Sequence, residues 1–319
     1  MNEKSEQYLK SIKRKEAILN NINSPILDIA AIETGSISKK IEDIDELHKN
    51  IELFVVDVGG VLRDTQKLDS KSFEIGFKSC NLDYKFDSES VWHLKGLGQY
   101  KNRKKCINAL LAISDINKEN ELDNILKKPD AEDYVMNMVK NYTDKTSAVE
   151  VERITQIIYD EYGEFFNSEE GKKLVETIPG SEYAMKLLKE KGYKVALFSN
   201  GGHKAVERDV PYYNILDAVI CKEDITKEKP SGEGIIKAAE KLGVALDNVC
   251  EIGDTVVDIW ASRDAGCKSL IVLDHGMSFP EQIAREKPDF VFQNILHLAE
   301  TIKHKNTSTT ATIKIKIKE

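Results

Sequence analysis

Six short apolar runs recur along the chain, and helical stretches separate most of them. They are IELFVVDVGGVL (51–62), YKVALFSNGG (193–202), DAVIC (217–221), VCEIGD (249–254), SLIVLD (269–274) and DFVFQ (289–293). Each is short, holds β-branched or aromatic residues, and is bounded by Gly, Asn or Asp, as a buried strand is. Between them, SEYAMKLLKEKG puts Ala184, Leu187 and Leu188 on one helix face and stops at Gly192. SGEGIIKAAEKLG does the same with Ile235, Ala239 and Leu242, and stops at Gly243. Continuous apolar strands alternating with helices predict an α/β fold: a parallel, Rossmann-like sheet with helices on both faces. Ligands of such sheets bind beyond the carboxyl ends of the strands. The polar strand tails are therefore the candidate site: Asp57, Ser199 with Asn200, and Gly253 with Asp254.

About 110 residues separate the first run from the helix before the second, far too many for a loop. KNRKKCINALLAI, ENELDNILKK and the stretch 131–166 show helical periodicity and almost no alternation. We expect a helical insert at 66–177, placed over the strand ends of a core formed by 51–65 and 178–305. Residues 1–50 read as a polar helical extension with a partial stripe of Tyr8, Leu9, Ile12 and Leu19. Residues 306–319 form a basic tail. Its alternation of Ile313, Ile315 and Ile317 with lysine fits either an added edge strand or a disordered segment.

Composition removes several classes of function. Asp plus Glu total 54 against 46 Lys plus Arg, a formal net charge of -8. A general nucleic-acid binder needs a basic surface instead. No run approaches the roughly 20 apolar residues that cross a bilayer. MNEKSEQYLKSIKRKE has no apolar segment of the kind that directs secretion. The expected location is cytoplasmic, with neither membrane nor nucleic acid as partner. Five scattered cysteines without a C-x-x-C pair suggest reduced thiols and no zinc site. Cys221, Cys250 and Cys267 lie in or beside apolar runs, where cysteine usually acts as a small core residue. Trp260 is expected in the core as well.

Four short pieces carry chemistry when taken together. Asp57-Val58-Gly59-Gly60-Val61-Leu62-Arg63-Asp64-Thr65 follows the first strand, and Phe198-Ser199-Asn200-Gly201 follows a later one. Lys229-Pro230 precedes a helix, and Gly253-Asp254-Thr255-Val256-Val257-Asp258 ends another strand. Singly, such residues cap helices and turn loops. In this order, each at a strand end or helix start, they form a pattern rarely met by chance.

On these pieces, residues 51–302 resemble the haloacid dehalogenase (HAD) superfamily, in its phosphoglycolate-phosphatase-like branch with a helical cap. The resemblance implies a Mg²⁺-dependent hydrolase acting on a small phosphorylated metabolite. Asp57 would attack phosphorus as a carboxylate and form an aspartyl-phosphate. Asp57, Asp254, Asp258 and the backbone carbonyl of Gly59 would hold the cation. Ser199 would hydrogen-bond a phosphoryl oxygen, beside the backbone of Asn200 and Gly201. Lys229 would neutralise charge on nucleophile and phosphate. Gly59 and Gly60 would let backbone N–H groups approach the phosphate. Asp258 also fits a plain helix cap. Lys101, Arg103, Lys104 and Lys105 read as a solvated helix face.

One departure stands out. The resemblance calls for a second Asp two residues after the nucleophile, serving as general acid and base, and Gly59 stands there. Such help is worth about 10²–10⁴-fold. Asp64, Thr65, His93 and His203 are available substitutes by type. Three other readings follow. One is C–P bond cleavage, as in phosphonoacetaldehyde hydrolases, through a Schiff base on Lys101. Another is a low-activity scaffold that binds a phosphometabolite or a protein partner. Haloacid dehalogenation is the third, and the metal-type aspartates Asp254 and Asp258 argue against it.

Overall fold

The computed structural model describes residues 50–303, so the expected N-terminal extension and C-terminal tail lie outside the described residues. The chain enters through β1 (Leu53–Val56), turns through β2 (Arg63–Asp64), and then runs through seven helices. These are α1 (Gln66–Ser79), α2 (Ser88–Gly96), α3 (Arg103–Asp115), α4 (Leu122–Leu126), α5 (Ala131–Thr146), α6 (Ala148–Asn167) and α7 (Glu169–Lys172). A 3₁₀ turn, Gly98–Lys101, joins α2 to α3. The short β3 (Glu176–Thr177) returns antiparallel to β2. Strands and helices then alternate: α8 (Ser181–Glu190), β4 (Lys194–Phe198), α9 (His203–Asp209), β5 (Ala218–Ile220), α10 (Glu233–Leu242), β6 (Val249–Gly253), α11 (Val256–Ala265), β7 (Lys268–Val272), α12 (Pro280–Glu286), β8 (Phe290–Phe292) and α13 (Ile295–Lys303).

The main sheet is parallel, with order β5-β4-β1-β6-β7-β8. It is the expected α/β, Rossmann-like sheet. All four β1 side chains are fully buried. Alternation sends them to opposite sides. Phe54 and Val56 join Met185, Leu188 and Leu298 from α8 and α13 on one face. Leu53 and Val55 join Ile235, Ala238 and Ala261 from α10 and α11 on the other. Cys221 and Cys250 are core residues, as expected, whereas Cys267 is only partly buried. Trp260 is also only partly buried, and its Nε1 donates to Glu286 Oε2 at 2.9 Å.

The helices between β2 and β3 pack around a core of their own, which includes Phe73, Phe77, Ile107, Leu110, Val135 and Ile158. Phe279, from the loop after β7, enters the same cluster. The stretch 131–166 is divided: Ser147, at φ 79°, ends α5 and caps α6.

The strand order positions the site. From β1 the chain crosses to β4 and β5 on one side, then returns to β6, β7 and β8 on the other. That reversal opens a crevice at the carboxyl ends of β1 and β6. Asp57 and Asp254 flank it.

Candidate active site

Asp57 follows β1 directly, and its N–H donates to Ile252 O of β6 at 2.8 Å. Its side chain is buried. Oδ1 accepts from Lys229 Nζ at 3.0 Å, and Oδ2 has no hydrogen-bond partner. The loop turns at Gly60, with φ 77°, where a Cβ would sit 2.2 Å from Asp254 Oδ2. Only glycine fits so close an approach at that φ. The Gly60 N–H donates to Arg63 O at 2.9 Å and so closes the turn itself. Gly59 lies outside the left-handed region, and a Cβ there would meet Met277 Cε at 3.1 Å.

The loop after β6 brings two more carboxyl groups. Asp254 Oδ2 accepts from Met277 N at 2.8 Å, and its buried Oδ1 has no partner. Asp258 belongs to a capping box that starts α11 with Thr255. Its Oδ2 accepts from Thr255 N at 3.0 Å and from Thr255 Oγ1 at 2.6 Å, while Oδ1 accepts from Lys229 Nζ at 2.9 Å. The cap and the site are therefore two uses of one side chain. Ligand atoms of Asp57, Asp254 and Asp258 all lie within 4.8 Å of one another.

The loop after β4 supports Lys229. Asn200 Oδ1 accepts from Lys229 N at 2.9 Å, and its Nδ2 donates to Lys229 O at 3.4 Å. This paired contact fixes the backbone that carries the lysine. Ser199 is buried, and its Oγ accepts from Gly201 N at 3.0 Å, leaving its own proton to donate.

Three residues enter the site without having been singled out for it. Glu251, buried within β6, lies 2.7 Å from Lys229 Nζ through Oε1. Ser262 Oγ donates to Glu251 Oε2 at 2.7 Å. Met277 packs toward Gly59. Lys101, expected on a solvated face, instead brings Nζ to 3.9 Å from Asp57 Oδ2. Arg103 also departs from that expectation, with its guanidinium 4.0 Å from the Tyr162 ring centroid. Lys104 does face outward and pairs with Glu152 at 2.9 Å.

The substitutes for a second Asp are engaged elsewhere. Asp64 accepts from Gln66 N and pairs with His275, and Thr65 Oγ1 donates to Asp69 Oδ2. His93 stacks on Phe279, with Nδ1 3.0 Å from Met277 O. His203 is exposed and pairs with Asp224 at 2.6 Å.

Burial disfavours every charge here, and the neighbours decide the outcome. Burial, with Asp258 and Asp57 nearby, raises Asp254 well above the usual carboxyl range against the pull of Lys101. Burial works the same way on Asp258, but Lys229 and Lys101 outweigh it and lower its pKa. For Lys229, burial is outweighed by Asp258, Asp57 and Glu251, which hold it firmly protonated. Lys101 is likewise raised: burial opposes its charge, and Asp57, Asp258 and Asp254 prevail. Burial and Asp258 push Glu251 up to about 7 despite Lys229. Unpartnered buried carboxylate oxygens on Asp57 and Asp254 are costly unless a cation meets them. The all-oxygen set fits a hard divalent ion.

A parallel sheet with carboxyl groups gathered at a strand-order reversal defines a ligand-binding α/β enzyme scaffold. Comparison supplies the family. A family model described as haloacid dehalogenase-like hydrolase matches residues 105–272. That is more than half of the chain, and the chain belongs to this family. Phosphoglycolate phosphatase of Escherichia coli (strain K12) is 31% identical over 159 residues, 48% of this chain and 60% of that protein. Pyrophosphatase PpaX of Halalkalibacterium halodurans is 23% identical over 165 residues, 50% of this chain and 74% of that protein. A solved structure from Lactobacillus delbrueckii subsp. bulgaricus shares the fold, with TM-score 0.60 and 20% identity, covering 79% of this chain and 98% of the other. Among the described residues, no helix is long and apolar enough to cross a membrane.

Proposed function

We propose that the protein is a Mg²⁺-dependent phosphatase of a small phosphorylated metabolite, working through an aspartyl-phosphate on Asp57. One observation carries this reading. Asp57 is buried with one oxygen held by Lys229 and the other unpartnered, within reach of Asp254 and Asp258. Two curated relatives bear the names phosphoglycolate phosphatase and pyrophosphatase, which supports a small anionic phosphate substrate.

Asp57, Asp254, Asp258 and the Gly59 carbonyl would hold Mg²⁺. The ion supplies neutralisation of carboxylate and phosphate charge. Lys229 fixes Asp57, and Asn200 fixes Lys229. Ser199 has a free proton to donate to a phosphoryl oxygen, next to the Asn200 and Gly201 backbone. Asp57 Oδ2 bonds to phosphorus as the alkoxide leaves; water then releases phosphate and restores the carboxylate. The insert, residues 66–177, acts as the cap of a core made by 51–65 and 178–305, and excludes water during transfer. We assign the protein to the cytoplasm, in keeping with its five free cysteines.

The test is a panel of metabolite phosphates at saturating Mg²⁺, comparing the natural protein with Asp57→Asn. We expect turnover that the Asn variant and excess EDTA both abolish. Undiminished activity in either condition overturns the mechanism, and no turnover of any ester favours a binding scaffold.

The placement of Lys101 bears on the C–P cleavage reading. A Schiff base needs a neutral amine, and the surrounding aspartates hold this lysine charged. Borohydride with phosphonoacetaldehyde should leave Lys101 unmodified; a reduced adduct there would reverse the assignment.

A further inference from the structure

We propose that His93, on the insert, is a positioning residue for the cation ligand Asp254, acting through the backbone of Met277, so that closure of the insert and cation binding favour one another; this rests on the cation site of the phosphatase reading. The argument starts from the Asp254 carboxyl group. Its Oδ1 is buried without a partner, and its Oδ2 accepts from Met277 N at 2.8 Å. Among the described residues, no other hydrogen bond reaches this carboxyl group. The Met277 N–H therefore sets how Asp254 presents Oδ1 to an ion, as a partner behind a metal ligand does.

Met277 lies in the loop after β7, and its other backbone group faces the insert. Met277 O is 3.0 Å from His93 Nδ1 of α2. A carbonyl only accepts, so Nδ1 carries the proton and donates. Stacking on Phe279, with centroids 3.9 Å apart, fixes the imidazole ring. One buried residue thus joins the ligand that follows β6 to a helix of the insert.

Gly96 shows how closely α2 seats on this loop. A Cβ there would lie 2.3 Å from Met277 O and 2.4 Å from Met277 C. The Gly96 φ is not left-handed, so close approach alone calls for glycine. The contact repeats on either side of Met277. Trp92 Nε1 donates to His275 O at 3.0 Å. Ser278 Oγ donates to Gly96 O at 3.1 Å and accepts from Val256 N at 3.2 Å, two residues beyond Asp254. Lifting α2 strips residues 275–278 of these partners and leaves the Met277 N–H without a fixed aim. A cation that needs Asp254 aimed binds the closed form more tightly, and by linkage it holds the insert down.

The experiment compares two variants at one position. Asn places an amide N–H near the Nδ1–H of imidazole and loses the ring; Leu stays apolar and loses the donor. Calorimetric titration of the full chain with MgCl2 should show His93→Leu weakened about fivefold or more, the lower end of coupling between sites. His93→Asn should stay within about twofold of the natural protein. A merely structural role predicts the reverse order, because Asn is the variant that loses the stack on Phe279. Hydrogen exchange reads the coupling from the other side: saturating MgCl2 should slow the amides of 88–96 about fivefold or more in the natural protein, and less in His93→Leu. Mg²⁺ affinity of His93→Leu within about twofold of the natural protein overturns the proposal, as does exchange over 88–96 that ignores Mg²⁺. A natural protein that binds no Mg²⁺ overturns the cation site and this coupling together. Coupled Mg²⁺ binding without hydrolysis of any ester overturns the phosphatase reading alone.

Discussion

Gly59 occupies backbone that any residue adopts, and its Cβ position faces only the mobile end of Met277, at 3.1 Å. Room rather than strain therefore limits what position 59 accepts. With p-nitrophenyl phosphate the natural protein should release about one equivalent of product per site in a burst, then turn over slowly, because no side chain there activates water. Gly59→Asp combined with Met277→Ala should raise the slow phase by tenfold or more, up to the ~10²–10⁴ that general acid–base help provides. A burst-free curve with brisk turnover in the natural protein would mean that another group supplies the base. Glu251 yields a pH prediction. Ser262 has one hydroxyl proton and two acceptors, Glu251 Oε2 at 2.7 Å and Asp258 O at 3.0 Å. A proton on Glu251 satisfies both contacts, and burial with Asp258 pushes its pKa from 4.5 up to about 7. The folded state then holds this proton more tightly than the unfolded chain does. Its contribution to stability is complete below about pH 4.5 and lost as pH rises through about 7. Denaturant titrations in EDTA should show the natural protein losing up to ~3 kcal/mol more than Glu251→Gln across that window. Parallel curves for the two proteins would discard the assignment.

Among the elements, the helix start at α11 ties the candidate metal site to folding. Asp258 accepts from Thr255 and Lys229, whereas Asp254 keeps an oxygen without a partner. Asp254→Asn should lower Mg²⁺ affinity at least tenfold more than Asp258→Asn, read by calorimetry. Asp258→Asn should instead lower thermal stability by about 1 kcal/mol or more, the usual worth of a cap. Equal losses of affinity would contradict this division. The strands were legible because burial on both faces leaves unbroken apolar runs. Their ends were less so: β4 stops at Phe198, although Ser199 N still donates to Ile220 O of β5 at 3.0 Å, because Asn200 turns away to hold Lys229 N. The division at Ser147 carried a signal, a Ser three residues before Glu150, whose N–H its side chain caps. β2 and β3, two residues each, are too short to show a period. The aspartates and Lys229 were readable from spacing within short motifs. Lys101 was not, because a lysine in a basic cluster does not reveal which surface its helix overlies. Glu251 offered a clue, since a glutamate inside a buried strand needs a partner. Met277 offered none.

For the molecule as a whole, the loop after β7 and the start of α12 join insert to sheet. Trp92 Nε1 donates to His275 O at 3.0 Å, and Gln282 Nε2 donates to Leu126 O at 3.2 Å. Ser278 Oγ donates to Gly96 O at 3.1 Å and accepts from Val256 N at 3.2 Å. Ser278→Ala strands two buried backbone groups, at about 1–3 kcal/mol each. In the natural protein, tryptophan fluorescence and far-UV circular dichroism should follow one unfolding transition; in Ser278→Ala the tryptophan change should come first. Coincident transitions in the variant would show that the joint is not the weak point. The strand order has a further consequence, for biosynthesis. Leu53 pairs with Lys194 on one side and Val249 on the other. On the ribosome β1 emerges long before either neighbour. The insert, whose core is drawn from residues 73–166 apart from Phe279, can largely fold while translation continues. Until Val249 has cleared the exit tunnel, the nascent chain carries LFVV without its full set of partners, and Asp57 has no neighbouring carboxyl groups. Delay during translation of that interval would prolong exposure of this apolar strand, which the finished fold buries completely. The protein's yield in a cell should therefore depend on codon choice and chaperone supply over residues 178–253 more than over the insert.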